Sequence, residues 1–114
     1  CHERYGSIHQ DGVQAMGGER ILFQGLAVRC TTAGNAQFFV QAAVGGLPKD
    51  IVCEGCLLGP GGSTTLRIEA SHRSGARDTL LCKARYFWSV FESDAVDPID
   101  LNNTNLATTD PRCL

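Results

Sequence analysis

No apolar run in this 114-residue sequence approaches the about 18 residues that a membrane-spanning helix needs. The longest candidates, around Ile21 to Phe23 and Phe38 to Val40, are strand-sized. Helical periodicity is almost absent, and so is lysine, which arginine outnumbers eight to two. With many Ala and Gly, that bias suggests a GC-rich genome such as that of a filamentous fungus or an actinomycete. No signal or transit peptide is visible, so a secreted chain is expected to have lost its leader, leaving Cys1 near the mature end. No internal repeat or low-complexity block is evident, so solenoids and propellers are excluded. Cofactor motifs are missing too: Gly59, Gly61 and Gly62 are followed by no Gly-Lys-Ser/Thr and no helix, so no phosphate loop is expected and no cofactor is implied.

What is present points to one globular domain, residues 1–114, with 43% hydrophobic and 19% charged residues. Its main signal is period-two alternation. In QFFVQAAV, Phe38, Val40, Ala42 and Val44 share one face. In TLRIEASHR, Leu66, Ile68, Ala70 and His72 alternate with Thr65, Arg67, Glu69 and Ser71. In TLLCKARYFWSVF, Leu80, Cys82, Ala84, Tyr86, Trp88 and Val90 form the core-facing set, with Leu81, Lys83, Arg85, Phe87 and Phe91 opposite. AGNA (33–36), GGLPKD (45–50), GPGGS (59–63) and RSGARD (73–78) read as turns, the first and last as hairpins. Short strands between Gly-rich turns predict a mainly β fold, an antiparallel β-sandwich or barrel. A short N-terminal helix over residues 7–17, capped by Ser7, is one option for the start. Residues 92–114 read as an irregular acidic tail held down by Cys113.

Cys1, Cys30, Cys53, Cys56, Cys82 and Cys113 are even in number and spread from end to end, the signature of a disulfide framework in an oxidising compartment. A zinc site needs a second close pair to match Cys53 and Cys56, and none exists. No helix follows the pair to lower a thiol pKa. On an extended segment the two point to opposite faces, so each is expected to join a different partner, Cys30 or Cys82 among them, with Cys1 and Cys113 stapling the termini. A direct Cys53–Cys56 bridge requires a sharp turn at Gly55.

Charge is unevenly placed. Arg67, Arg73, Arg77, Lys83 and Arg85 face only Glu69 and Asp78 in their stretch, whereas five acidic residues from Glu92 onward face Arg112 alone. The basic stretch is a candidate docking face for an anionic partner. With a sequence pI near 5.9, nucleic-acid binding is not favoured. KARYFWSVF (83–91) interleaves cations and rings, so Phe87 and Phe91 join the candidate binding residues, for a glycan if they are exposed. Asn102-Asn103-Thr104 is an N-glycosylation sequon.

SHRSGARDTLLC (71–82) resembles the closing stretch of fungal T1-type ribonucleases, where a catalytic His precedes a strand ending in Cys. The resemblance implies a hydrolase centred on His72 and Glu69, although Arg67 lies closer to His72 than that family's spacing has it. At class level, by size, cysteine count and composition, the chain also resembles the small secreted effector proteins of filamentous fungi. Together these residues predict a secreted, non-enzymatic binding protein with an extracellular or host protein partner, a glycan being the alternative. No metal site and no membrane association are expected.

Overall fold

The computed structural model describes residues 11–30 and 34–114. Among them strand follows strand without an α-helix, and every paired strand is parallel. This corrects the expectation of an antiparallel sandwich or barrel. In a hairpin the spacing between partners changes at every step, but here it is unchanged within each paired stretch. It shortens once between the second and third coils, from the Phe38–Leu66 offset to that of Lys49 and His72. Lys49 lies opposite His72, Cys53 opposite Ala76 and Leu57 opposite Leu80, each pair 23 residues apart. One coil later the spacing is 24, with Gly75 opposite Ile99 and Leu80 opposite Thr104. A chain that keeps meeting its previous coil in parallel register is wound as a solenoid, which corrects the expectation that the lack of a sequence repeat excludes one.

Four successive coils are described. The first holds β1 (Val13–Gln24) and β2 (Ala27–Val28), the second β3 (Ala36–Glu54) and β4 (Leu57–Leu58). The third holds β5 (Thr64–Ile68), β6 (Ser71–His72), β7 (Gly75–Arg77) and β8 (Leu80–Cys82). The fourth holds β9 (Phe87–Phe91), β10 (Ala95–Val96), β11 (Ile99–Leu101) and β12 (Thr104–Leu106). Between the first two coils the spacing widens to 30, and the register shifts beside Gly17 absorb the extra residues. Gly17 and Gly45 meet there back to back, and a Cβ on Gly17 would lie 2.6 Å from the Gly45 backbone.

Two columns of corners turn the chain. Arg20, Asp50, Arg73 and Asp97 stack in one, with φ between 49° and 55°. Gly25, Gly55, Asp78 and Asn102 form the other, with φ between 50° and 65°. Glycine, asparagine and aspartate reach this left-handed region most readily. The repeat is therefore one of backbone conformation, and RILFQG, DIVCEG, RSGARD and DPIDLN are its four copies. The segment read as a hairpin at 73–78 is a strand flanked by two such corners.

Inside, like stacks on like. Ala15, Val40, Ile68 and Phe91 form one column; Val13, Phe38 and Leu66 form another; Val28, Leu58 and Leu81 line the opposite wall. Among the described residues, the fully buried polar side chains bond to the backbone. Ser74 Oγ accepts from Ile51 N (3.1 Å), and Thr79 Oγ1 accepts from Cys56 N (3.3 Å). Asn103 joins the last two coils, accepting from Thr79 N (3.0 Å) and donating to Ala76 O (2.9 Å). Gln37, Thr65 and Trp88 close the first wall onto the last by donating to the carbonyls of Cys30, Cys82 and Leu106. A buried donor left unpaired costs roughly 1–3 kcal/mol, so these bonds hold the winding in register.

Cys53 and Cys56 are bridged to each other across the Gly55 corner, with Cα atoms 6.2 Å apart. The left-handed turn at Gly55 swings both thiols onto the core side, which corrects the expectation of separate partners. Cys113 joins Cys82 rather than the other terminus, and Cys30 is disulfide-bonded as well. Residues 92–114, expected as an irregular tail, contain β10, β11 and β12 before a 3-10 turn at Pro111–Cys113. That turn lies along the side of the solenoid, where the Arg29 guanidinium donates to the carbonyls of Arg112 (3.0 Å) and Leu114. The helix expected over 7–17 falls partly outside the described residues; from Val13 onward the chain is strand.

Candidate binding surface

Winding in coils decides which charges meet. Asp50 and Arg73 stack in one corner column, with Oδ1 and Nε 2.7 Å apart. The Arg73 guanidinium holds the Asp50 carboxyl below its ordinary range, and Asp50 raises Arg73 in return. In the next outward column Gln24 donates to Glu54 (2.9 Å), which also pairs with Arg77. Arg67 lies 2.9 Å from Glu69, off the angle of a hydrogen bond at Nε, and donates through Nη2 to Glu92 (3.1 Å) while covering the Phe39 ring. Lys49 faces Glu19 at 3.5 Å. Arg67, Arg73 and Arg77, expected to face a partner, are thus balanced by carboxylates, most of them one coil away.

Lys83 and Arg85 differ. They sit at the corner between β8 and β9, where Lys83 N donates to Leu106 O and Arg85 N to Gly62 O. Among the described residues neither has a carboxylate at ion-pair distance. Each lies instead over a ring: Lys83 Nζ is 5.0 Å from the Trp88 centroid, and the Arg85 guanidinium is 5.2 Å from that of Tyr86. Trp88 is half-buried and fixed by its bond to Leu106 O (2.9 Å). Tyr86 and Phe87 are 53% and 56% exposed, with ring centroids 6.4 Å apart. Two rings and two cations therefore meet on one corner, open to solvent.

Alternation had placed Tyr86 inward. Its backbone belongs to the corner, bonded to Ser63 O, and in β9 the expected phase is reversed, with Phe91 stacked inside on Ile68 and Val90 in register with outward-pairing Arg67. Phe91, the other aromatic candidate, is half-buried against the core beside Ala95. The two phenylalanines expected to share a face are separated in environment.

His72 and Glu69 are not brought together. Glu69 pairs with Arg67, while His72 lies half-buried in β6 between Lys49 and Val96, and no hydrogen bond or ion pair links the two. Ser71 Oγ, the nearest hydroxyl in sequence, donates to the Glu69 carbonyl at 2.8 Å. No group of three His, Cys, Asp or Glu able to hold a metal converges among the described residues. Asn102 is exposed on its corner, and its amide donates to Asp78 at 2.6 Å. Gly61 is packing rather than phosphate recognition: a Cβ there would overlap the Cys30 carbonyl and the Gln37 amide. No described helix is long and apolar enough to cross a membrane.

Comparison with protein-family models, curated sequences and solved structures yields no match to this chain. The class the structure defines is a small disulfide-linked parallel β-solenoid.

Proposed function

We propose that this solenoid is a secreted, non-enzymatic binding protein that engages an extracellular or host protein, in the manner of an effector, through the corner formed by Lys83, Arg85, Tyr86 and Phe87. One observation carries this reading. Here alone the described structure places cations lacking a carboxylate partner over rings, Lys83 on half-buried Trp88 and Arg85 on exposed Tyr86 beside exposed Phe87, whereas Arg67, Arg73 and Arg77 are matched internally. Tyrosine, tryptophan and arginine dominate the energetic centres of protein interfaces, and a cation already held over a ring loses little freedom on docking. The partner is acidic where it meets Lys83 and Arg85. Disulfides fit an oxidising compartment and support secretion.

The test places a photo-cross-linking benzoyl-phenylalanine at position 87 and, as control, at Leu22 on the first coil. Protein adducts in extracellular fluid are expected from position 87 only, and Arg85→Glu should remove them. Adducts that ignore the charge reversal would overturn the reading. Binding to acidic glycans in an array, with no protein adduct, would replace the partner class.

A further inference from the structure

The fourth coil ends the described solenoid, and the far side of its strands pairs with no described strand. An open parallel edge invites another strand, and proteins usually blunt such edges with charge or proline. Part of this coil is blunted in that way. β11 is preceded by Asp97 at a left-handed corner and by Pro98, which has no N–H to offer. Asp100 stands in register above Ala76 and Cys53, so it sets a carboxylate on top of a core column. β10 is two residues long, and β12 carries Thr104 and Asn105. β9 has none of these devices. Its sequence FWSVF contains no charge, proline or glycine, and Phe87 is exposed at its start.

We propose that β9 is a docking edge that takes an extended segment of the partner protein as an added parallel strand. This deepens the corner reading above and rests on it for the partner's chemistry. The segment's backbone pairs with the free side of β9, alternate apolar side chains cover Phe87 and Phe91, and acidic residues at one end meet Lys83 and Arg85. Strand addition gives affinity through main-chain bonds and specificity through alternate side chains. Charge sets the position: the unmatched cations lie at the Phe87 end, while Glu92 at the other end is occupied by Arg67. β11 offers the same backbone pattern with the opposite chemistry, and is the internal control.

The experiment measures amide hydrogen exchange of the full chain with a synthetic peptide of sequence EEVTVTV, its KKVTVTV counterpart, and an EEVTVTV peptide N-methylated at alternate residues. At about ten times its dissociation constant, EEVTVTV should slow exchange in β9 about tenfold by mass action, leaving β11 unchanged. KKVTVTV and the N-methylated peptide should not, and Arg85→Glu should exchange the preference between the acidic and basic peptides. No protection of β9, or protection that survives N-methylation, overturns strand addition. If the N-methylated peptide still binds and Arg85→Glu abolishes it, the corner reading stands without the strand. If β9 is protected but charge reversal changes nothing, strand addition stands and the corner reading fails. Protection that rises with protein concentration in the absence of peptide makes a second copy the occupant, and rejects the acidic partner.

Discussion

The interface between the second and third coils and the corner that opens the fourth use similar residues to opposite ends. Between the second and third coils, Asp50 meets Arg73, Glu54 meets Arg77, Ile51 N reaches Ser74 and Cys56 N reaches Thr79, each 23 residues on. At the Lys83–Phe87 corner the cations have rings beneath them, and the rings have solvent in front. Residue type does not separate the two regions; what matters is whether a matching coil lies in register. A solenoid satisfies side chains by stacking, so unsatisfied chemistry collects where stacking stops.

The comparison breaks most readily through the clamp that ties the tail beside it. Replacing Cys82 and Cys113 by serine removes a cross-link closing a separation of 31 residues. This should cost about 2–4 kcal/mol in denaturant titration, with the Arg29 contacts to the tail loosening as well. Next comes Thr79→Val, which keeps the shape but strips the hydroxyl shared by Cys56 N and the Cys53 and Arg77 carbonyls. A loss of about 1–3 kcal/mol is expected, with faster amide exchange at Cys56. At the open corner, Phe87→Ser should leave stability within about 0.5 kcal/mol of the parent. A Phe87→Ser chain as unstable as Thr79→Val would show that the corner belongs to the core after all.

The smallest effect lies in the acid range. The Asp110 carboxyl is held down to about 2 by the Arg112 side chain and then by the Arg112 backbone N–H, and Asp50 is lowered chiefly by Arg73. Both favour the folded state above the ordinary carboxylate value of 3.8, and that contribution disappears as pH falls through the lowered values. Asp50→Asn should therefore lower the neutral plateau slightly and flatten the decline of stability below pH 3.8, with the acid end of the curve unchanged. A carboxylate substituted at the open corner, as in Phe87→Glu, should leave that acid limb unchanged.

Much of the local structure was legible. Alternation found strand in 37–44, 65–68 and 87–91, and GPGGS (59–63) separates β4 from β5, whereas GGLPKD (45–50), read as a turn, lies within β3. The winding was not legible because the repeat conserves backbone conformation rather than side chains. Arg, Asp, Gly and Asn all occupy the left-handed corner columns, and the interval slips from 30 to 23 to 24. The pair of such residues five apart in RILFQG, DIVCEG, RSGARD and DPIDLN was the available sign. At the binding surface Lys83, Arg85 and Phe87 could be nominated from their interleaving. The loss of Arg67, Arg73 and Arg77 to internal partners could not be foreseen, since pairs such as Asp50–Arg73 are near only after one full turn of the chain.

By itself the sequence determined that the chain is built of strands, that glycines and short polar residues break them, and that its cysteines are set up to cross-link. These follow from side-chain alternation, turn preferences and thiol chemistry, all of which act within a few residues. The tertiary structure alone decided that the strands run parallel, that Cys53 closes on Cys56, which arginines are neutralised and which edge is left open. Those outcomes depend on which coil lies above which, and an offset of one full coil between distant residues leaves no mark on the chemistry of any one of them.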